Sequence, residues 1–354
     1  MRTKIKDFNI GKYKISEDNY PFVVAELSGN HKGSIKRALK LVDLAADCGA
    51  NAIKLQTFKP DKITLNCRSK DFYISDKLSK WRGKYLYDLF VEAYTPWEWH
   101  KEIFQKAKER KLEFFSSPFH AEAVEFLEKL NVSCYKIASF ENTHLPLIKL
   151  VSQTNKPIII STGMATKIEI NDLVNELRNN GNKNFALLKC TSSYPAEVKS
   201  FNLETLLDMK KKYNCHIGLS DHSTNSSVPA VAVALGARII ERHITLSAND
   251  GAIDSFFSTD KFKFKNFVEN VKASYDSIGR TFYGATKEEV PSLKERRSIY
   301  AIKNIRQNEM LTKDNIGIIR PSYGLKPKFY NKILGKKSKR KIDFGKPIKK
   351  IDIK

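Results

Sequence analysis

The chain has 354 residues, 41% of them hydrophobic, and its 62 Lys and Arg against 39 Asp and Glu give a formal charge of +23. It contains no apolar run of about 18 residues, the length a membrane helix needs, and its start, MRTKIKDFNIGKYKI, lacks the apolar centre of a secretion signal, so a cytoplasmic protein with no membrane partner is expected. The lysines are spread over nearly every predicted helix and are dense only in KILGKKSKRKIDFGKPIKK. With no recognition helix, RNP motif or zinc finger beside them, nucleic acid is not an expected partner, whereas small anionic, phosphate-bearing substrates are favoured.

In chain order, eight short apolar runs read as strands: FVVAEL (22–27), AIKLQT (52–57), EFFSSP (113–118), CYKIAS (134–139), PIIIST (157–162), FALLKC (185–190), HIGLSD (216–221) and RIIERHI (238–244). Stretches of helical periodicity lie between them, such as IKRALKLVDLAADCGA and AEAVEFLEKL. Strand and helix therefore alternate eight times, which predicts an α/β fold of the (β/α)8 TIM-barrel type. An irregular stretch at 58–96 follows the second run and carries Phe72, Tyr73, Trp81, Tyr85, Tyr87, Phe90 and Tyr94. Insertions after a barrel strand lie at the active-site face and shape specificity. The barrel is expected over 1–280 and a polar linker over 281–293. A β-rich domain is expected over 294–354, where SIYAIKNI, NIGIIRPSYGL and FGKPIKKIDI alternate short strands with turns. At about 60 residues that domain is small for independent stability and is expected to dock on its own barrel or a partner's.

In such a barrel the strand ends converge on one mouth, so Glu26, Lys54, Ser117, Lys136, Ser139, Ser161, Thr191, Asp221, His222, Glu241 and His243 are expected around a shared cavity, and an enzyme is the leading reading. His222 and His243 close the last two runs and suit a divalent ion used as a Lewis acid, against the alternative of two hydrogen-bonded core histidines. Lysines facing a barrel interior need counter-anions. Lys54 and Lys136, among Ser117, Ser139, Ser161 and Ser192, fit a carboxylate and a phosphate on one small ligand. Internal salt bridges to Glu26 or Glu241, or a Schiff-base lysine, fit the same residues. Glu26, before the turn-forming SGNH, is the best placed general acid or base. The five cysteines form no CxxC pair, which predicts reduced thiols packed as small hydrophobes.

Across almost the whole chain, VVAELSGNHKGS, ANAIKLQT, TPWEWH, FFSSPF, YKIASFE, IIISTGMA, LLKCTSSYP, IGLSDHS, GARIIERHI, DSFFS, RRSIYA and RPSYGLKP follow one another in an order that resembles the N-acetylneuraminate (sialic acid) synthases. The resemblance implies a barrel followed by an antifreeze-like (SAF) domain that covers the partner's active site in a domain-swapped homodimer. It implies condensation of phosphoenolpyruvate with the open-chain aldehyde of an N-acylated amino sugar, releasing phosphate. It gives Glu26 the acid/base role, His222 and His243 a manganese, magnesium or cobalt ion, and Glu241 a catalytic place beside that ion. Lys54, Ser117, Lys136, Ser139, Ser161, Ser192 and Ser220 match the phosphoenolpyruvate site. Tyr194 and Asp254 match sugar contacts, and Arg320 would reach the sugar's N-acyl group from the other subunit. Ser192 stands where these synthases commonly carry asparagine. TPWEWH, assigned to the aromatic insertion, and DSFFS favour a less polar, deoxygenated acceptor, 2,4-diacetamido-2,4,6-trideoxy-altrose. N-acetylmannosamine or a mannose-configured diacetamido-trideoxy sugar would be served by the same catalytic residues. A non-catalytic sugar-binding or nucleic-acid-binding protein on a degenerate barrel is disfavoured, because Glu26 and both histidines and lysines are all present.

Overall fold

The computed structural model describes residues 5–77 and 79–354. Residues 1–4 of the start read as lacking a leader, and Leu78 of the insertion, lie outside the described residues. The chain divides into two compact units, one ending at Gly279 and a second over Arg280–Lys354.

The first unit opens with a hairpin of β1 (Phe8–Ile10) and β2 (Tyr13–Ile15), turning at Gly11 with φ +53°, a conformation glycine adopts without strain. Eight parallel strands then close a barrel: β3 (Phe22–Glu26), β4 (Ala52–Thr57), β5 (Glu113–Pro118), β6 (Tyr135–Ile137), β7 (Ile158–Ser161), β8 (Phe185–Cys190), β9 (His216–Asp221) and β10 (Ile239–His243), with β10 pairing back to β3. All eight expected runs become barrel strands. Their near-continuous apolar character follows from burial on both faces, by the barrel centre inside and by helices outside. The helices are α1 (Ile35–Asp47), α2 (Pro60–Ile63), α3 (Leu86–Ala93), α4 (Trp97–Glu109), α5 (Ala121–Lys129), α6 (Leu145–Ser152), α7 (Lys167–Asn179), α8 (Thr205–Tyr213), α9 (Ser227–Ala234) and α10 (Lys261–Ile278). Their starts use ordinary capping chemistry: Ser34 accepts from the Arg37 N–H, Asp260 from the Lys263 N–H, and Thr166 with Glu169 forms a capping box on α7. TPWEWH is not wholly insertion. Pro96 ends the loop and Trp97 begins α4, as proline's fixed φ suits a helix entry.

The β1–β2 hairpin packs across the starts of the strands. Phe8, Ile10 and Ile15 are buried in the barrel's hydrophobic core, Phe8 meets the His216 ring edge-on at 5.7 Å, and the Lys12 N–H donates to Glu113 Oε1 at 3.1 Å.

Strand alternation sends neighbouring side chains to opposite faces. Ser220, Glu241 and His243 point into the barrel, whereas Asp221 and Arg242 point outward and pair with each other. Asp221 therefore does not join the mouth: its Oδ1 also accepts from the Ser223 N–H at 2.8 Å, and the Arg242 guanidinium lies 4.2 Å over the Phe267 ring of α10. Both partners are nearly fully buried. Removing one leaves an uncompensated buried charge, so Asp221→Ala is expected to destabilise the first unit by about 3–5 kcal/mol. A denaturant midpoint close to that of the unaltered protein would show that the pair is not structural.

The second unit pairs β11 (Ser298–Ala301) antiparallel with β12 (Ile316–Ile319) and adds the short helix α11 (Tyr330–Ile333). It has a core of its own, with Ile299, Ile305, Leu311, Ile316 and Ile348 among its buried residues. Residues 281–293, expected as linker, cluster with this unit and lead into a 3-10 turn at Val290–Glu295.

Candidate active site

The strand register levels the chemistry. His243 sits opposite Glu26, Glu26 opposite Lys54, and Glu241 opposite Ser220. Lys54 and Glu26 form a buried ion pair, and Lys54 Nζ also reaches Glu241 Oε1 at 3.5 Å and Ser117 Oγ at 3.5 Å. Glu26 Oε1 accepts from the Ser28 N–H at 3.0 Å and from Gln56 Nε2 at 3.1 Å. Burial pushes the Glu26 carboxyl up, against the pull of the Lys54 ammonium, which keeps a proton-accepting group within a low-dielectric site. Burial also acts to raise Glu241, but the ammonium groups of Lys136 and Lys54 outweigh it and hold Glu241 low. Glu241 Oε2 is buried without a hydrogen-bond partner.

Lys136, 1% exposed, donates to Ser161 Oγ at 2.7 Å and to the Ile137 carbonyl at 3.1 Å. Burial lowers its pKa. Of the sequence alternatives for the two lysines, Lys54 adopts the internal salt bridge with both carboxylates, while Lys136 has only neutral hydrogen-bond partners and retains capacity for an anion. Beside Lys136, Gly163 donates its N–H to Ser139 Oγ at 3.2 Å. A Cβ on Gly163 would stand 2.3 Å from Ser192 Oγ and 2.6 Å from Ser139 Oγ, so the missing side chain is what lets these two hydroxyls approach the end of β7.

Above this floor the His222 and His243 rings lie 5.3 Å apart, centroid to centroid. His222 Nδ1 faces the Thr191 carbonyl at 3.0 Å, an arrangement that fixes the N–H there and leaves Nε2 with a free lone pair. His243 Nδ1 is buried with no hydrogen-bond partner, and burial together with the neighbouring His222 holds its pKa well below the ordinary histidine value. His243 Nδ1 and His222 Nε2 fit a divalent cation as donors, although, against the pull of burial, Cys190 and the Thr191 carbonyl raise the His222 pKa, so a cation there would compete with a proton. Among the described residues no cluster of three or more His, Cys, Asp or Glu side chains is arranged to hold a metal, so water and substrate oxygens would complete the shell.

These groups line a cavity of about 550 Å³ that holds Lys54, Lys136, Ser139, Ser161, Ser220, His222, Glu241, His243, Tyr194 and Asp254. Glu26 and Ser117 sit beneath it, in contact with Lys54, and Ser192 lies beside it, 3.8 Å from Cys190 Sγ. Thr191 contributes its carbonyl rather than its hydroxyl, which turns to the Ser200 carbonyl. Arg320 belongs to the second unit, where it is exposed just beyond β12. A smaller hollow of about 330 Å³ at the strand starts, between Lys12, Lys108 and Glu113, gathers none of the expected site residues.

Of the cavity residues that sequence reasoning misses, Gln56, Cys190 and Glu141 carry polar or ionisable groups. Gln56 stands two positions after Lys54 and shares its face, so alternation alone would have found it. Cys190 closes β8, with Sγ 3.9 Å from His222 Nδ1, and it is not the inert core thiol expected. Glu141 ends the 3-10 turn that follows β6 and has a buried Oε2 with no hydrogen-bond partner. Burial pushes the Glu141 carboxyl up to about 7 against the attraction of Lys136. Its unfolded-state value is near 4.5, so it costs nothing below that pH, destabilises the fold progressively as pH rises from about 4.5 to about 7, and changes no further above. Glu141→Gln is therefore expected to raise the thermal midpoint at pH 8 relative to pH 4.5 when each is compared with the unaltered protein. A difference that does not vary with pH would contradict the raised value.

The NeuB family model matches residues 41–283 and the SAF domain model matches residues 296–354. Over 340 residues the chain is 41% identical to a pseudaminic acid synthase of Campylobacter jejuni, covering 95% of this chain and 98% of that protein. It is 39% identical over 342 residues to the pseudaminic acid synthase of Helicobacter pylori, covering 94% and 98%. Among solved structures, N-acetylneuraminic acid (sialic acid) synthetase from Leptospira borgpetersenii, in complex with citrate, matches with a TM-score of 0.72 at 27% identity, over 83% of this chain and 97% of that one.

Proposed function

Since the chain belongs to the NeuB family and ends in a SAF domain, we infer that it catalyses the pseudaminic acid synthase reaction, condensing phosphoenolpyruvate with 2,4-diacetamido-2,4,6-trideoxy-altrose and water to give pseudaminic acid and phosphate. The observation that carries this reading is the near full-length identity to two pseudaminic acid synthases.

Lys136 and Lys54, with Ser117, Ser139, Ser161, Ser192 and Ser220, would take the phosphate and carboxylate of phosphoenolpyruvate between them, the phosphate against Lys136. The open-chain sugar would lie above, between Tyr194 and Asp254. A divalent cation at His222 and His243, manganese or magnesium with cobalt a further option, would supply Lewis-acid polarisation of the sugar aldehyde. The methylene carbon of phosphoenolpyruvate forms a bond to the aldehyde carbon as the aldehyde π bond breaks, the resulting alkoxide takes up a proton from solvent, and the enol carbon is left electron-poor. Glu26 accepts a proton from the water that adds there. Loss of phosphate from the resulting tetrahedral carbon then yields the 2-keto acid. Glu241, beside both His243 and Lys54, would orient substrate hydroxyls and balance the buried ammonium. Arg320 would reach the sugar's N-acyl group from the second chain of a domain-swapped homodimer working in the cytoplasm.

The test is phosphate release from phosphoenolpyruvate, with manganese present, against the altrose-configured sugar, its mannose-configured counterpart and N-acetylmannosamine. Turnover with the altrose sugar is expected. Preference for another sugar would keep the chemistry and move the specificity, and silence with all three would overturn the enzymatic reading.

A further inference from the structure

Helix α3, with the sequence LYDLFVEA, has no buried residue despite its apolar composition. Leu86, Leu89, Phe90 and Ala93 recur at i, i+3, i+4 and i+7 and so form one stripe. That stripe faces the cavity rather than the hydrophobic core. An apolar stripe of this kind ordinarily pays for its place in a fold by core burial, and here it stays half-exposed beside a polar floor, which marks it as the contact surface of a ligand.

The wall is also held in place. The loop before α3 is pinned by an antiparallel bridge between Tyr73 and Tyr85 and by a hydrogen bond from the Gly83 N–H to the Ile74 carbonyl at 3.0 Å. Trp81 Nε1 donates to the Ile253 carbonyl at 3.0 Å, immediately before Asp254, and its ring meets Tyr194 edge-on at 5.6 Å. The Phe90 ring packs edge-on against Phe58, 5.8 Å between centroids, at the end of β4. The stripe is thereby fixed relative to Tyr194 and Asp254 before any ligand arrives.

Resting on the function proposed above, we propose that the α3 stripe and Trp81 form the wall that selects the acceptor, receiving the methyl groups of a deoxygenated, diacylated sugar and disfavouring sugars that carry hydroxyls at those positions. The stripe offers no side-chain hydrogen-bond donor or acceptor, so a hydroxyl pressed against it loses its water without a replacement. Discrimination by an apolar wall of this sort is about 10- to 100-fold for a single group. The polar floor is common to either acceptor and contributes nothing to the choice.

The experiment compares full-length protein with Leu89→Gln, using phosphate release to obtain kcat/KM for the diacetamido-trideoxy sugar and for N-acetylmannosamine. Leu86→Gln, one turn away on the same stripe, reads the same ratio independently should Leu89→Gln fail to fold. The expected result is a fall of about 10- to 100-fold with the deoxygenated sugar, a much smaller change with N-acetylmannosamine, and a KM for phosphoenolpyruvate within about twofold of the original. If the unaltered protein is active and the ratio between acceptors does not move, the wall has no role in selection. If the unaltered protein turns over neither sugar, the proposed function fails and this inference falls with it.

Discussion

Glu26→Gln is expected to slow phosphate release by about 10²- to 10⁴-fold, the range that a single positioned general base contributes. The substitution keeps the side chain's size and lets the amide retain a hydrogen bond to Lys54 or Gln56, so the barrel should fold unchanged. What it removes is the carboxylate that stands opposite His243 across the β10–β3 register and could accept a proton there. Glu241 is held low by Lys136 and Lys54 and is a poor substitute. Phosphoenolpyruvate affinity, measured by calorimetry, should change by less than about fivefold, because the anion contacts assigned to Lys136 and the serines remain. Turnover near that of the unaltered protein would remove Glu26 from the proton-transfer step. Loss of phosphoenolpyruvate binding in parallel with turnover would instead make Glu26 a structural partner of Lys54.

His243→Ala is expected to abolish divalent-cation binding and with it at least about 10³-fold of the rate, since polarisation of a carbonyl by a cation contributes several kcal/mol. His222→Ala should do the same, because two imidazoles are the protein donors that the cavity brings together. Calorimetric titration of manganese into each variant separates this from a simple packing defect. If the cation still binds with unchanged affinity, the two histidines are not its ligands. Chelation of the unaltered protein should reproduce the kinetic loss reversibly, while neither histidine variant should be rescued by added manganese.

The barrel was legible because its strands are buried on both faces and therefore appear as apolar runs, most of them ending in a polar or charged residue. β4, β5, β8 and β9 match those runs residue for residue. The failures have physical causes. Asp221 and His222 are adjacent and cannot both point inward, so counting Asp221 at the mouth ignores the alternation that turns it towards Arg242. Glu141 escapes because it lies in the 3-10 turn that ends the strand periodicity, where no spacing rule assigns its side chain to the cavity. Helix α3 escapes because its apolar stripe is short and sits within a stretch rich in aromatic residues, where the period is hard to see. The hairpin at the start carries a usable signal, a glycine between two short alternating segments, FNI and YKI, but each is only three residues long.

That hairpin bears on the timing of catalysis. With Phe8, Ile10 and Ile15 packed across the strand starts, the barrel is a vessel stoppered at one end, and traffic runs through the mouth. Lys54 and Lys136 lie low in it and almost fully buried, whereas the α3 stripe stands half-exposed at the rim. A vessel with one opening fills from the bottom. On the assignments proposed above, a ligand that seats its phosphate against Lys136 would enter before the sugar closes over it, and the inorganic phosphate formed there would wait for the larger product to clear. With the substrates so placed, the architecture would impose a queue, first in and last out.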